Sequence, residues 1–327
     1  MKRTCKGVLL AVALIFTASA AFAQDMGMVT GSKKGTYYQF GLNMAELVKK
    51  QGVRLRVDDS QGSVQNVFSV YKAPDTQMGI VQSDVLAFVA KIQTDPVLQR
   101  IATKTKMIFP FYNEEVHLLA NADVKDFDDL SGKIVAIGEE GSGIYLTSRL
   151  LFEASGVKPR DTLAVGPVDA LALLKKGDID ALFYVAGIPV KLFSEDVTAE
   201  DKLSLVPITN KSILEFYPAA QIPANTYGWQ KQAVSTVAVK AVLISYDFRG
   251  SNCENVGKVA KIVHDNLDWL KANGHPKWKT VDLNAPLKGW EQYDCVTKVV
   301  QPAKRRAPEK PRVVNPVLDA IKKMFSE

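Results

Sequence analysis

The chain is predicted to be an α/β protein of two lobes, each built on a mainly parallel sheet wrapped by helices, with a ligand cleft between them. Three observations predict this. Short apolar runs alternate with helix-period runs, an order that implies parallel strands covered by helices. The alternation breaks near Phe109-Pro110-Phe111-Tyr112, and a second strand–helix series follows it. That series ends in another extended segment, Ile222-Pro223-Ala224-Asn225-Thr226-Tyr227, followed by apolar runs that need a sheet to join. Two crossings mean that the chain leaves a first lobe and later returns to it, and lobes joined in this way close on a ligand by hinge bending.

In order, Gly27 to Thr30 reads as a strand and Thr36 to Lys50 as a helix, with Phe40, Met44, Leu47 and Val48 on one face. Arg54 to Asp58 is a strand, Ser63 to Tyr71 a helix, Met78 to Val81 a strand and Ser83 to Ile92 a helix. Glu115 to Ala120 reads as a long strand entering new territory. Lys133 to Ile137, Thr162 to Val165 and Ala181 to Val185 are strands, alternating with helices at Ser142 to Ala154 and Pro167 to Lys176. Val234 to Tyr246 is broken by Lys240 and reads as two strands, and Cys253 to Lys271 as a helix with Val256, Val259, Val263, Leu267 and Leu270 inward. The expected division is 24–112 with 225–300 as the first lobe, 113–224 as the second, and 301–327 as a basic, irregular extension ending in a short helix.

Residues 1–23 read as a secretory leader: Lys2, Arg3 and Lys6, an apolar run from Val8 to Ala18, then Ala21-Phe22-Ala23. Cleavage is expected after Ala23. The run is too short to span a bilayer comfortably, and Cys5 precedes it, where no lipoprotein cysteine stands. The net charge is +6, with three of the cations in the leader, so charge makes no case for a nucleic-acid partner. Cys253 and Cys295 remain after cleavage. In an oxidising compartment they are expected to form a disulfide, the alternative being two thiols too far apart to join.

Four polar turns fall where a strand ends and a helix begins: Gly35-Thr36-Tyr37, Ser60-Gln61-Gly62-Ser63 with Asn66 one turn on, Gln82-Ser83-Asp84, and Gly141-Ser142-Gly143. In a parallel sheet such turns share the carboxyl edge, where ligands bind. Helix N-termini offer unpaired N–H groups and partial positive charge, so two lobes presenting them across a cleft favour an anion, most simply a dicarboxylate. Taken singly, each turn is also an ordinary helix cap; the anion reading rests on their being brought together. Little supports an enzyme. Ser142 has no base beside it in sequence, Glu139-Glu140 reads more simply as a solvated loop than as an acid pair, and His117, His264 and His275 make no metal spacing. There is no phosphate loop and no dinucleotide fingerprint, so no cofactor and no metal are expected.

At these residues the chain resembles the TAXI family of TRAP-transporter solute receptors: G-S-K-K-G-T-Y-Y, S-Q-G-S-V-Q-N and G-I-V-Q-S-D in the first lobe, D-L-S-G-K-I-V-A-I-G, G-S-G and G-D-I-D-A-L-F-Y-V-A-G-I-P in the second, then I-P-A-N-T-Y. The resemblance covers roughly Val29 to Val242. It implies a two-lobed periplasmic binding protein of the type II-like kind, a ligand such as glutamate, 2-oxoglutarate or a similar dicarboxylate, and a fused multi-spanning permease driven by an ion gradient. Carried over position by position, it implies contacts from Thr36, Tyr37, Ser63, Val64, Asn66 and Gln82, with Ser142, Gly143, Tyr184 and Gly187 from the second lobe. Backbone N–H groups with Ser63 and Ser142 would hold carboxylates, and Tyr37 and Tyr184 would pack on the carbon chain. The chain departs from the family at Lys34, where glycine is usual, and after Asn284. The alternatives are a binding protein of an ABC transporter or a ligand sensor with the same lobes, and, from another class, an exported α/β enzyme.

Overall fold

The computed structural model describes residues 25–91, 95–287 and 289–301; the expected leader, its cleavage after Ala23 and the basic tail from 302 onward lie outside them. The first lobe begins with β1 (Asp25–Val29), α1 (Thr36–Lys49), β2 (Arg54–Asp58), α2 (Ser63–Lys72), β3 (Met78–Gln82), α3 (Ser83–Lys91) and α4 (Pro96–Lys104). β4 (Thr105–Ala120) then leads to β5 (Ile134–Ala136), α5 (Gly143–Ser155), β6 (Asp161–Leu163), α6 (Pro167–Lys176) and β7 (Ala181–Ala186). Next come α7 (Lys191–Asp196), β8 (Ser204–Leu205), α8 (Lys211–Leu214), β9 (Ala219–Ile222) and β10 (Val234–Tyr246). The chain closes with α9 (Ser251–Asp265), α10 (Leu267–Asn273), a 3-10 turn over Pro276–Thr280, and α11 (Asp294–Val300).

Within each half the strands are parallel: β2-β1-β3 in the first, β6-β5-β7 in the second. The halves are not separate sheets. They run through antiparallel β10 and β4 into one path, β2-β1-β3-β10-β4-β7-β5-β6. Both long strands serve two cores. Phe109, Phe111 and Tyr112 of β4 pack with Phe40 and Met44 of the first half, and Val116, Leu118 and Leu119 pack with Leu151 and Phe183 of the second. On β10, Val237 and Val239 belong to the second core, Ala241 and Leu243 to the first.

The return crossing is therefore β10, not Ile222 to Tyr227 as the sequence suggested; that segment is the end of β9 and a turn. The run Val234 to Tyr246 is likewise one strand and not two. Lys240 is half-buried where β10 passes from one core to the other, so the hydrophobic pattern lapses although the hydrogen-bonded ladder does not. The register slips there: Asn113 faces Lys240 and Pro110 faces Val242, an extra residue of the kind that bends a strand. Pro110 is tolerated because β7 pairs with β4 only from Glu115 on, leaving no second neighbour that needs its missing N–H.

In the first half, α1, α9 and α10 cover one face through Phe40, Met44, Val256, Val259 and Leu270, and α2, α3 and α4 the other through Val67, Val70, Val85 and Ile101. Phe40 stacks on Trp278 with centroids 4.1 Å apart, drawing the turn after α10 onto α1. Cys253 and Cys295 are bridged, with Cα atoms 5.6 Å apart, which fastens α11 to α9. Among the described residues no helix is long and apolar enough to cross a membrane.

Candidate functional site

The strand-end turns of both halves converge. Thr36 opens α1 and Ser63 opens α2 after glycines, Gly35 and Gly62, that provide no side-chain cap. Gly62 has φ +125°, a conformation that a side chain would strain. The first N–H groups of both helices thus lack the side-chain acceptor that a Ser or Asp cap would supply. α5 opens at Gly143 after Ser142, whose Oγ accepts from Tyr145 N at 3.0 Å. These starts border a cavity of about 60 Å3 lined by Gly35, Thr36, Tyr37, Gln61, Gly62, Ser63 and Gln82 from the first lobe, Glu114 from the shared strand β4, and Glu139, Ser142, Gly143, Ile144, Pro167 and Tyr184 from the second lobe. It continues outward into a groove of about 600 Å3 that adds Lys33, Lys34, Asp59 and Val168.

The lobes touch around this space. Thr36 Oγ1 donates to Gly187 O at 2.5 Å, and Gln65 N donates to Gly141 O at 2.9 Å. A Cβ on Gly143 would overlap Gln82 Oε1 and stand 2.8 Å from Ser63 Oγ, so only glycine lets the lobes approach this closely here. Asp84, buried at the start of α3, accepts from Thr147 Oγ1 of α5 at 2.7 Å and from Tyr217 O–H at 3.3 Å. Burial pushes its carboxyl above the usual range. At the rim, Lys34 Nζ lies 2.5 Å from Asp196 and 3.5 Å from Glu195; the hydrogen bond to Asp196 raises its pKa.

The cavity-lining residues expected from the sequence are Thr36, Tyr37, Ser63, Gln82, Ser142, Gly143 and Tyr184. Gln82 is 2% exposed, and its Oε1 has no hydrogen-bond partner among the described residues. Ser63 Oγ accepts from Gln82 N at 3.1 Å. Tyr37 O–H donates to Glu114 Oε2 at 2.5 Å. Val64, Asn66 and Gly187 are placed behind the wall. Asn66 is saturated, donating to Thr30 O and Ile80 O and accepting from Ser60 Oγ, so it ties α2 to the ends of β1 and β3.

The sequence reading missed Glu114. It is 1% exposed and lies on the cavity wall. Burial lifts its carboxyl well above the ordinary range; the Tyr37 hydrogen bond opposes this, while Asp84 and Glu115 add to it. The visible signal was Glu114-Glu115 inside an otherwise apolar strand. Glu115 points elsewhere, its carboxylate holding Lys277 Nζ at 2.5 and 2.8 Å with both side chains buried. His117, next on that face, sets Nε2 2.8 Å from the Tyr227 hydroxyl, and burial lowers its pKa to about 4. Burial also raises Glu139 at the cavity edge.

Two lobes bridged by paired strands, with helix ends facing one cavity, define a two-lobed binding-protein fold. The chain belongs to the NMT1-like family, which it matches over residues 28–290. It is similar in fold to a periplasmic transporter (TM-score 0.53, 14% identity, 79% of this chain and 88% of that one). The same holds for the periplasmic binding protein BugD (0.52, 11%, 91% and 93%) and a protein from Bordetella bronchiseptica RB50 (0.51, 12%, 92% and 96%).

Proposed function

We propose that this chain is the extracytoplasmic solute receptor of a TRAP transporter of the TAXI type. It captures a small organic anion, such as glutamate, 2-oxoglutarate or another dicarboxylate, in the periplasm after cleavage at Ala23, and delivers it to a fused, ion-gradient-driven permease. One observation carries the reading. Glycine-capped helix ends from one lobe and the start of α5 from the other meet at a single cavity. Such ends favour anions.

The lobes part at Asn113 on β4 and between Val239 and Ala241 on β10, with the solute read from both sides. Thr36, Ser63, Gln82, Ser142 and Gly143 contribute the polar wall, and Tyr184 the apolar one. At 10–15 Å3 for each water-sized group, the closed cavity keeps the ligand compact, and a five-carbon diacid enters with the lobes slightly further apart. Capture without conversion fits the hydroxyls of Thr36 and Ser142, which are engaged with Gly187 O and Tyr145 N.

The test is a thermal-shift screen of the mature protein. A ligand at a hundred times its dissociation constant adds about 2.7 kcal/mol to stability, so glutamate, 2-oxoglutarate or a related acid should raise the melting temperature. A response confined to neutral sugars, cations or aromatic monoacids refutes the anion reading.

A further inference from the structure

Glu114 and Glu115 are consecutive on β4, so their side chains leave opposite faces of the strand. Lys277 satisfies one of them only: it is bonded to Glu115. Glu114 accepts a hydrogen bond from the Tyr37 hydroxyl and has no cationic partner among the described residues. No Lys, Arg or His stands among the described residues that line the cavity. The ionisable groups around Glu114 are Tyr37 on α1, Asp84 on α3, Tyr112 and Glu115 on β4, Tyr184 on β7 and Lys277 in the 3-10 turn, with Glu139 on the same cavity wall. All but Lys277 are acids or phenols. An unpaired carboxylate at 1% exposure is costly. It becomes more so when an anion drawn to the helix ends shares its small cavity.

We propose that Glu114 closes on the ligand as a neutral carboxylic acid that donates its O–H to a ligand carboxylate, so that capture of each anion takes up one proton. The inference rests on the anion reading above and deepens it. In the open cleft water reaches the carboxyl and it ionises; on closure it binds one proton from solvent, and no other bond changes. Tyr37 stays a donor to Oε2, which leaves Oε1 to carry the proton toward the ligand. The site therefore reads a carboxylate at this position and disfavours an ammonium there, which ranks 2-oxoglutarate above glutamate.

The experiment is titration calorimetry with 2-oxoglutarate from about pH 6 to 8, where both of its carboxyls are ionised, in two buffers of different ionisation enthalpy. The expected result is uptake of one proton and an affinity that falls by up to about tenfold per pH unit. Glu114→Gln, whose amide donates at every pH, is expected to bind more tightly than the wild type at pH 8 and to lose the pH dependence. The infrared spectrum of the wild type saturated with 2-oxoglutarate should contain a protonated-acid C=O band that the ligand-free wild type and the Glu114→Gln complex both lack. A wild-type affinity flat with pH, or glutamate binding without 2-oxoglutarate binding, overturns the inference and assigns an ionised Glu114 to a ligand ammonium. If no organic acid binds, the anion reading fails and this inference with it; binding without proton uptake and without the band overturns the inference alone.

Discussion

Lys277→Met probes the buried ion pair that holds the C-terminal segment to β4. The side chains of Lys277 and Glu115 are 7% and 8% exposed, and both carboxylate oxygens lie within 2.8 Å of Nζ. Methionine keeps the aliphatic stem, whose Cγ packs beside Gly187, so the change removes charge more than volume. It strands the Glu115 carboxylate, to which, among the described residues, the long bond from Ile188 N at 3.4 Å remains. Removing one partner of a buried pair costs about 3–5 kcal/mol. Unfolding entropy of about 2.1 cal/mol/K per residue, over the described residues, gives about 0.6 kcal/mol/K. The melting temperature should therefore fall by about 5–8 °C in calorimetry at pH 7. Glu115→Gln combined with Lys277→Met removes both charges and should recover most of that loss. A single variant that melts within a degree or two of the wild type refutes the claim that the pair is desolvated.

Gly143→Ala places a methyl into Gln82 Oε1 across the cleft, so it should weaken ligand binding by roughly 5–150-fold, the usual range for a coupling of this kind, while the ligand-free melting temperature holds; unchanged affinity would show that the lobes need not meet there. Reducing Cys253–Cys295, which spans 42 residues of chain, should cost about 4 kcal/mol on the loop-entropy account, read by urea unfolding with and without reductant. His117 is neutral when folded, with its pKa lowered from 6.5 to about 4 by burial. The unfolded chain binds its proton first, so this contribution is complete above pH 6.5 and is lost as pH falls toward 4. The loss is about 3 kcal/mol, and in a pH series of unfolding curves His117→Gln should lack that part of the slope. Lys34→Ala cuts the exposed tie to Asp196 and Glu195; affinity should drop by no more than about fivefold, and less at high salt.

The alternating strands and helices were legible because periods of 2 and 3.6 survive wherever a segment faces one core. They were lost where a segment changes cores: Lys240 looked like a break because a residue passing between two cores need not be apolar. α4 was not anticipated, although Asp95 caps it by accepting from Val97 N and Leu98 N ahead of Pro96 at its first turn. The helix-end residues of the cavity could be named, since a strand–turn–helix junction is local. Asn66 could not be told from a ligand contact, because its three partners come from Thr30, Ser60 and Ile80, and only the fold brings them together. Glu114 was visible as an acid in an apolar strand, yet its isolation depends on Lys277 choosing Glu115 from 162 residues away.

The shared strand pair has a consequence for how this protein comes apart. β4 and β10 are bonded to each other from Thr105 to Glu115 and from Ala238 to Tyr246, and each feeds apolar side chains to both halves. Neither half owns a complete sheet. A fragment ending at Asn113 would lack β10, which sits between β3 and β4, and would expose the edge of β3. The two lobes should therefore melt together in a single cooperative transition, unlike beads on a string, and cannot be harvested as independent modules.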